Sequence, residues 1–438
     1  MLDRRVSRRS ILAGAAGAAA LPLAPPLAGP ARAQAQEVVF LSTQLRPIEE
    51  AQVMRQRILR GAPTAVNYVT EQPPQLTVRL QAERTAGRQT ISLVGALHGE
   101  LQPLVPMNAL DNLADVARTL ADRGIPDNLM TLGKLGTDRQ LYIPWMQATY
   151  VMVASRQALQ HLPQGADVNA LTYAQLGEWA AKVRQATNQR RLGFPAGPQG
   201  LLARFFQGYF YPSFTGSAVS QFRSAEAEQA WTWFKEMWAN VTPNSTNYNF
   251  MQEPLLAGEV WIAWDHVARV LDALRQRPND FVAFPAPAGP KGRGYMPVVA
   301  GLSIAQGAPN RAGAAQVIEY LSRPATQVTT AVETGFFPVV RAELPADMPP
   351  GVRLAADAIG KTQAARDALV SLLPIGLGDK GGEFNKVYTD TFQRIVLRNE
   401  PVRAVLDRQA EELRALMTAT SAPCWAPDPP SQGACPVN

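Results

Sequence analysis

Val38-Val39-Phe40-Leu41 opens the first of three short apolar runs, the others being 65–69 and 91–94. Two stretches with helical spacing separate them, at 49–59 and 76–86. Short runs of four or five mainly apolar residues, broken only by Asn67 and Ser92, fit buried strands. Strands alternating with helices at this interval predict βαβ units and a parallel sheet, with right-handed crossovers that place helices on both faces. The chain is α/β from its first element.

Outward from that unit the pattern repeats. A second α/β region begins near Val151-Met152-Val153. Thr172-Tyr173-Ala174-Gln175 has the form of a capping box, with Leu176, Trp179, Ala180 and Val183 following at helical spacing. Ser224 opens another helix, with acids in its first turn and Ala227, Ala230, Trp231, Phe234 and Trp238 along one stripe. Residues 260–264 and 281–284 read as buried strands. Pro285-Ala286-Pro287-Ala288-Gly289-Pro290 reads as a linker. A strand at 298–304, a helix at 310–323, a break at Gly335-Phe336-Phe337-Pro338 and a terminal helix at 401–417 complete the series.

Toward the N-terminus, Arg8-Arg9 stands directly before an apolar stretch, 12–27, that ends in the small-residue site Ala31-Arg32-Ala33. This order predicts a twin-arginine signal peptide over 1–33, cleaved near Ala33, and a periplasmic location. Pro22, Pro25 and Pro26 interrupt the stretch, which is shorter than the roughly 20 residues of a spanning helix. The leader also distorts the charge. The whole chain is +6, but without residues 1–33 it carries 37 basic and 35 acidic residues, or +2. Near-neutrality gives no support to nucleic-acid binding or a polybasic membrane surface.

Roughly 400 residues after the leader exceed one core and imply two domains. The two cysteines, Cys424 and Cys435, lie in a Pro-rich tail over 419–438. In an oxidising compartment they most simply form one disulfide, worth about 3 kcal/mol and acting on the tail alone. A metal pair is the other reading, though no His or further Cys lies nearby. No cysteine at the cleavage site offers a lipid anchor.

Signs of catalysis are sparse. His98, His161 and His266 are isolated, and neither a zinc-protease motif nor a nucleophile elbow occurs. Gly376-Leu377-Gly378-Asp379-Lys380-Gly381 satisfies G-x-G-x-x-G but lacks the βαβ context of a dinucleotide site, and reads as a turn joining two helices. Gly360-Lys361-Thr362 would need a glycine where Ala355 stands. What the chain offers instead is aromatic rings beside polar groups: Trp145, Tyr209 and Tyr211 after Gln207, and Trp264-Asp265-His266 at a strand end. That is the make-up of a small-molecule cleft.

The order of these segments resembles the extracellular solute-binding proteins of ABC importers, in the sugar-binding group that includes maltose-binding protein. The segments that carry it are Tyr142-Ile143-Pro144-Trp145, Leu162-Pro163, Leu171-Thr172-Tyr173, Glu253-Pro254-Leu255-Leu256-Ala257-Gly258-Glu259-Val260-Trp261-Ile262-Ala263-Trp264, Val299-Ala300-Gly301-Leu302-Ser303-Ile304 and Gly335-Phe336-Phe337-Pro338-Val339. The resemblance implies a two-lobe periplasmic-binding-protein fold, each lobe a mostly parallel sheet flanked by helices, joined by a multi-strand hinge. Lobe one would hold 36–148 and 286–337, and lobe two 149–285 and 338–418. Matching positions would line the cleft with Thr43, Gln44, His98, Glu100, Trp145, Gln207, Tyr209, Trp264, Asp265, Glu383 and Phe384. No aromatic stands in 96–100, and Trp264-Asp265-His266 replaces the more usual small-residue turn.

The implied function is capture of a carbohydrate or related polyol by hinge closure, without catalysis, cofactor or metal, and delivery by a monomer to a membrane permease. Lys182, Arg184, Arg190 and Arg191 are either a permease contact or a solvated helix end. Two alternatives stay open: the same fold binding a polyamine, anion or organic acid, and an exported hydrolase or oxidoreductase.

Overall fold

The computed structural model describes residues 37–44 and 48–438; the expected leader lies outside the described residues. Twelve strands are described: β1 Val38–Ser42, β2 Val66–Thr70, β3 Leu93–Leu97, β4 Ile143–Ala148, β5 Tyr150–Ser155, β6 Leu192–Gly193, β7 Ile262–His266, β8 Phe281–Phe284, β9 Arg293–Tyr295, β10 Val298–Ile304, β11 Phe337–Pro338 and β12 Ala368–Val370. They form a six-stranded sheet ordered β11-β4-β10-β3-β1-β2, a four-stranded sheet ordered β6-β7-β5-β8, and a β12-β9 pair. Each larger sheet is the centre of one lobe.

The expected βαβ start is present. β1 pairs in parallel with β2 and β3, with Phe40 opposite Tyr68 and Leu93. Alternate side chains serve opposite faces, so Val38 and Phe40 enter one core and Leu41 a second. Most strands in each sheet point one way. β10 and β11 run against β4, and β5 runs against β7 and β8. β5 and β10 each arrive from the other lobe and enter reversed, and β11, reached from β10 through two helices, keeps the direction of β10.

Local signals act as read from the sequence. Thr172 and Gln175 form the capping box of helix Tyr173–Thr187, with Gln175 N donating to Thr172 Oγ1 (3.2 Å) and Thr172 N to Gln175 Oε1 (2.9 Å). Ser224 caps Ala225–Trp238, whose Trp231 and Phe234 are fully buried. Burying a large apolar side chain contributes about 1.5–3 kcal/mol. The helix expected over 49–59 runs as Ile48–Val53 with a π turn, Met54–Ile58, added. Gly360-Lys361-Thr362 lies inside helix Pro350–Ala364. Upstream of the 376–381 glycines, however, the chain is not helical: β12 and an irregular run precede them.

The segment 289–295 lies beside the second lobe, β9 pairing with β12 and Gly294 N donating to Ser213 Oγ (2.9 Å). After β10 the chain stays with the first sheet as far as Arg341, whose N donates to Arg123 O (2.8 Å). The tail is docked rather than loose. Cys424 and Cys435 form a disulfide. Trp425 packs against Phe384 (5.4 Å), and Asp428 accepts from Ala218 N (2.7 Å), Val219 N (3.0 Å), Ser220 N (2.8 Å) and Ser217 Oγ. The disulfide therefore steadies a segment of the second lobe, and its effect is not confined to the tail. Among the described residues no helix is long and apolar enough to cross a membrane.

Candidate functional site

The lobes join where β4 passes into β5 through Thr149, where β9 leads to β10 through Met296, and beyond Arg341, where the chain returns to the second lobe. One phenol ties the first two crossings. Tyr209 OH shares a hydrogen bond with Thr149 Oγ1 (2.9 Å) and accepts from Tyr150 N (3.2 Å), while Thr149 Oγ1 donates to Met296 O (3.0 Å). Tyr209 reaches this point from a π turn, Phe206–Phe210, where the backbone runs hard against the crossing. A Cβ on Gly208 would lie 2.7 Å from Met296 Cβ, so a side chain there would displace the strand.

The first-lobe wall is made at the C-terminal ends of adjacent parallel strands, where α/β sheets place their sites. Thr43 follows β1, its N–H donating to Gly95 O (2.9 Å). Glu100, in the turn of helix after β3, accepts from Thr43 Oγ1 (2.6 Å) and Leu97 N (2.9 Å) through the same oxygen, Oε2. Burial raises its carboxyl above the usual range, while Thr43, Leu97 N–H and Arg204 pull it back. Its other oxygen has no hydrogen-bond partner among the described residues. His98 turns inward, Nδ1 lying 2.9 Å from Tyr142 OH, and burial lowers its pKa to about 4.

The second-lobe wall comes from helix Leu202–Phe205 and from Gly381–Phe392. Arg204 Nη1 donates to Gln207 Oε1 (2.8 Å), and Gln207 Nε2 to Asn385 Oδ1 (2.9 Å). Burial lowers the Arg204 guanidinium, against the pull of Tyr150 and Glu100, the latter from the opposite lobe. Beneath Arg204, Tyr150 stacks face to face on Trp264 at 4.7 Å. Burial pushes the Tyr150 phenol up to about 12, while Arg204 and Arg269 draw it down. Asp265 is used internally, accepting from Met251 N (3.0 Å) and His266 N (2.7 Å), and burial raises its pKa to about 7.

Glu100 and Arg204 are thus within electrostatic reach from opposite lobes, Thr43 bonding to Glu100 and Gln207 to Arg204, with Gln44 beside Thr43, its N–H donating to Ser42 Oγ (3.1 Å). Tyr209, Trp264 and Asp265 form a layer around Tyr150. Three residues lie elsewhere. Trp145 packs on Phe40 in the first-lobe core, Glu383 pairs with Lys380 on the surface (2.6 Å), and Phe384 is buried under Tyr388 and Trp425. Arg204 and Asn385 were not foreseen. The signal for Arg204 was present: it is the lone charge in Leu201-Leu202-Ala203-Arg204-Phe205-Phe206. Among the described residues no group of three or more His, Cys, Asp or Glu could hold a metal ion.

The family model of bacterial extracellular solute-binding proteins matches residues 60–352, more than half of the sequence. The chain belongs to that family. No curated protein is similar to it in sequence. Solved structures share its fold. Maltose-bound MalE3 of T. maritima superposes with a TM-score of 0.69 at 16% identity, over 87% of this chain and 99% of that one. UgpB of Mycobacterium tuberculosis, in complex with glycerophosphocholine, gives 0.68 at 16% over 87% and 98%. The sugar-binding protein MalE of Xanthomonas citri gives 0.68 at 16% over 87% and 97%.

Proposed function

We propose that this solute-binding protein captures a carbohydrate or related polyol between its lobes and delivers it to the membrane permease of an ABC importer, acting by binding alone. The observation that carries the reading is the pair of opposed walls, Thr43 and Glu100 on one lobe and Arg204, Gln207 and Asn385 on the other. Groups of this kind, drawn from both lobes, let a ligand favour the closed form by its differential affinity for that state. The ligands of MalE3 and UgpB, maltose and glycerophosphocholine, both carry several oxygen acceptors and fit the same chemistry. The lobes would span 36–148 with 296–341, and 149–295 with the remainder, crossing at Thr149, at Met296 and beyond Arg341. Arg8-Arg9 supports export by the twin-arginine route, with cleavage near Ala33.

Thermal-shift screening of the mature protein against sugars, polyols and organic acids tests the reading. A ligand at 100 times its dissociation constant adds about 2.7 kcal/mol of stability. No shift with any of them, together with a nucleotide or flavin that co-purifies, would contradict it.

A further inference from the structure

Arg204 forms no ion pair within 4.0 Å. It is half-buried, and its only side-chain hydrogen bond among the described residues is the one to the neutral amide of Gln207. A guanidinium carries five N–H donors in a rigid fork. Glu100 is within electrostatic reach but forms no ion pair with it inside 4.0 Å, and one Glu100 oxygen is likewise unpaired. A second arginine stands on the same wall. Arg269 acts on Tyr150 alongside Arg204 and is held by Asn249 O (3.0 Å) and Gln199 O (3.1 Å), with its guanidinium over Phe250 (4.5 Å). Asp265 accepts from two backbone N–H groups and lies within electrostatic reach of Arg269, but forms no ion pair with it inside 4.0 Å.

We propose that the ligand of this cleft is a polyhydroxylated anion. Its carboxylate or phosphoryl group is held by the Arg204 fork, and a hydroxyl donates to the unpaired oxygen of Glu100. The inference rests on the binding-protein reading above and narrows its ligand class. The remaining donors of the fork meet no protein acceptor among the described residues, and an anion matching the fork gives the short, charge-assisted pair that a sugar hydroxyl cannot. The Glu100 acceptor supplies the complementary demand for hydroxyl donors, which separates this ligand from a simple inorganic anion.

The test is calorimetric titration of the mature protein with three sets of probes. D-glucuronate and D-galacturonate carry the carboxylate, and glucose 6-phosphate and glycerol 3-phosphate carry the phosphoryl group. Glucose, galactose, maltose and glycerol are the neutral set. At least one anion should bind tenfold or more tighter than every neutral probe, and the winning set identifies the acidic group. Arg204→Gln should weaken that anion at least tenfold, and Arg204→Lys, which keeps the charge but not the fork, by less. Melting curves of the ligand-free variants check that they fold. A neutral sugar that binds as well as any anion, or an anion that binds Arg204→Gln with wild-type affinity, overturns the proposal and leaves the binding-protein reading standing. No binding in any set overturns both.

Discussion

Asp428, buried, and Arg204, half-buried, are both charged groups of the second lobe, and the protein treats them in opposite ways. Asp428 is completed from within: three backbone N–H groups and one hydroxyl of the 217–220 loop converge on its two oxygens. Arg204 has one hydrogen-bond partner among the described residues, the neutral amide of Gln207, and no ion pair. A buried charge that is fully hydrogen-bonded holds structure together, whereas one left incomplete at a lobe boundary is suited to a partner that comes and goes. The same contrast separates Tyr209, whose hydroxyl is fully used at the crossing, from Glu100, which keeps one oxygen open.

The contrast can be broken by substitution. Asp428→Ala leaves three buried N–H groups without an acceptor and should cost about 3–5 kcal/mol in urea unfolding, with ligand affinity of the folded fraction retained. A neutral result would mean the tail is not docked as described. Glu50 is a third case, a buried carboxyl with neither oxygen paired, its pKa raised by burial to about 8. Because the folded value lies above the unfolded one, its favourable contribution is full below about pH 4.5 and lost as pH rises to 8. Glu50→Gln should therefore gain stability relative to wild type over that range, about 4 kcal/mol by pH 8. Parallel pH curves would contradict the burial.

Smaller effects sharpen the comparison. Reducing the disulfide, which closes a loop of 11 positions, should cost about 2.7 kcal/mol. Because the tail carries Asp428 and Trp425, the loss should appear as loosening of the 217–220 loop in hydrogen exchange. Tyr209→Phe removes the hydroxyl shared by the first two crossings and should cost about 1–2 kcal/mol. It should also shift the open–closed balance seen in scattering. The least effect on stability is expected from Arg204→Gln in the ligand-free protein, near zero, since no native ion pair is lost. A large loss there would show that Arg204 is structural after all.

Much of the fold was legible because its signals are local. Apolar runs such as 38–41 and the Thr172–Gln175 box depend on neighbours within one turn or strand. Strand direction was less so: nothing in β5 or β10 announces that each arrives from the other lobe. At the site, loops after β1 and β3 pointed to Thr43 and Glu100, and Gln207 stood out as polar among aromatics. Rings misled more easily, because a core and a cleft both favour a flat apolar face. Trp145 and Phe384 went to cores, while Trp264 came to lie under the cleft wall. Asn385 meets Gln207 across 178 positions and Asp428 meets its loop across more than 200, separations that no local pattern encodes.

One measurement decides most directly whether the opposed walls are the binding site: the crystal structure of the mature protein with the tightest ligand from the titrations. The ligand should lie between Thr43 and Glu100 on one side and Arg204, Gln207 and Asn385 on the other, with its acidic group on Arg204. The competing place is the concavity of about 420 Å³ at the far end of β5, lined by Arg156, Arg191, Trp261 and Arg277. Ligand density there, with the cleft between the lobes empty, would contradict the site.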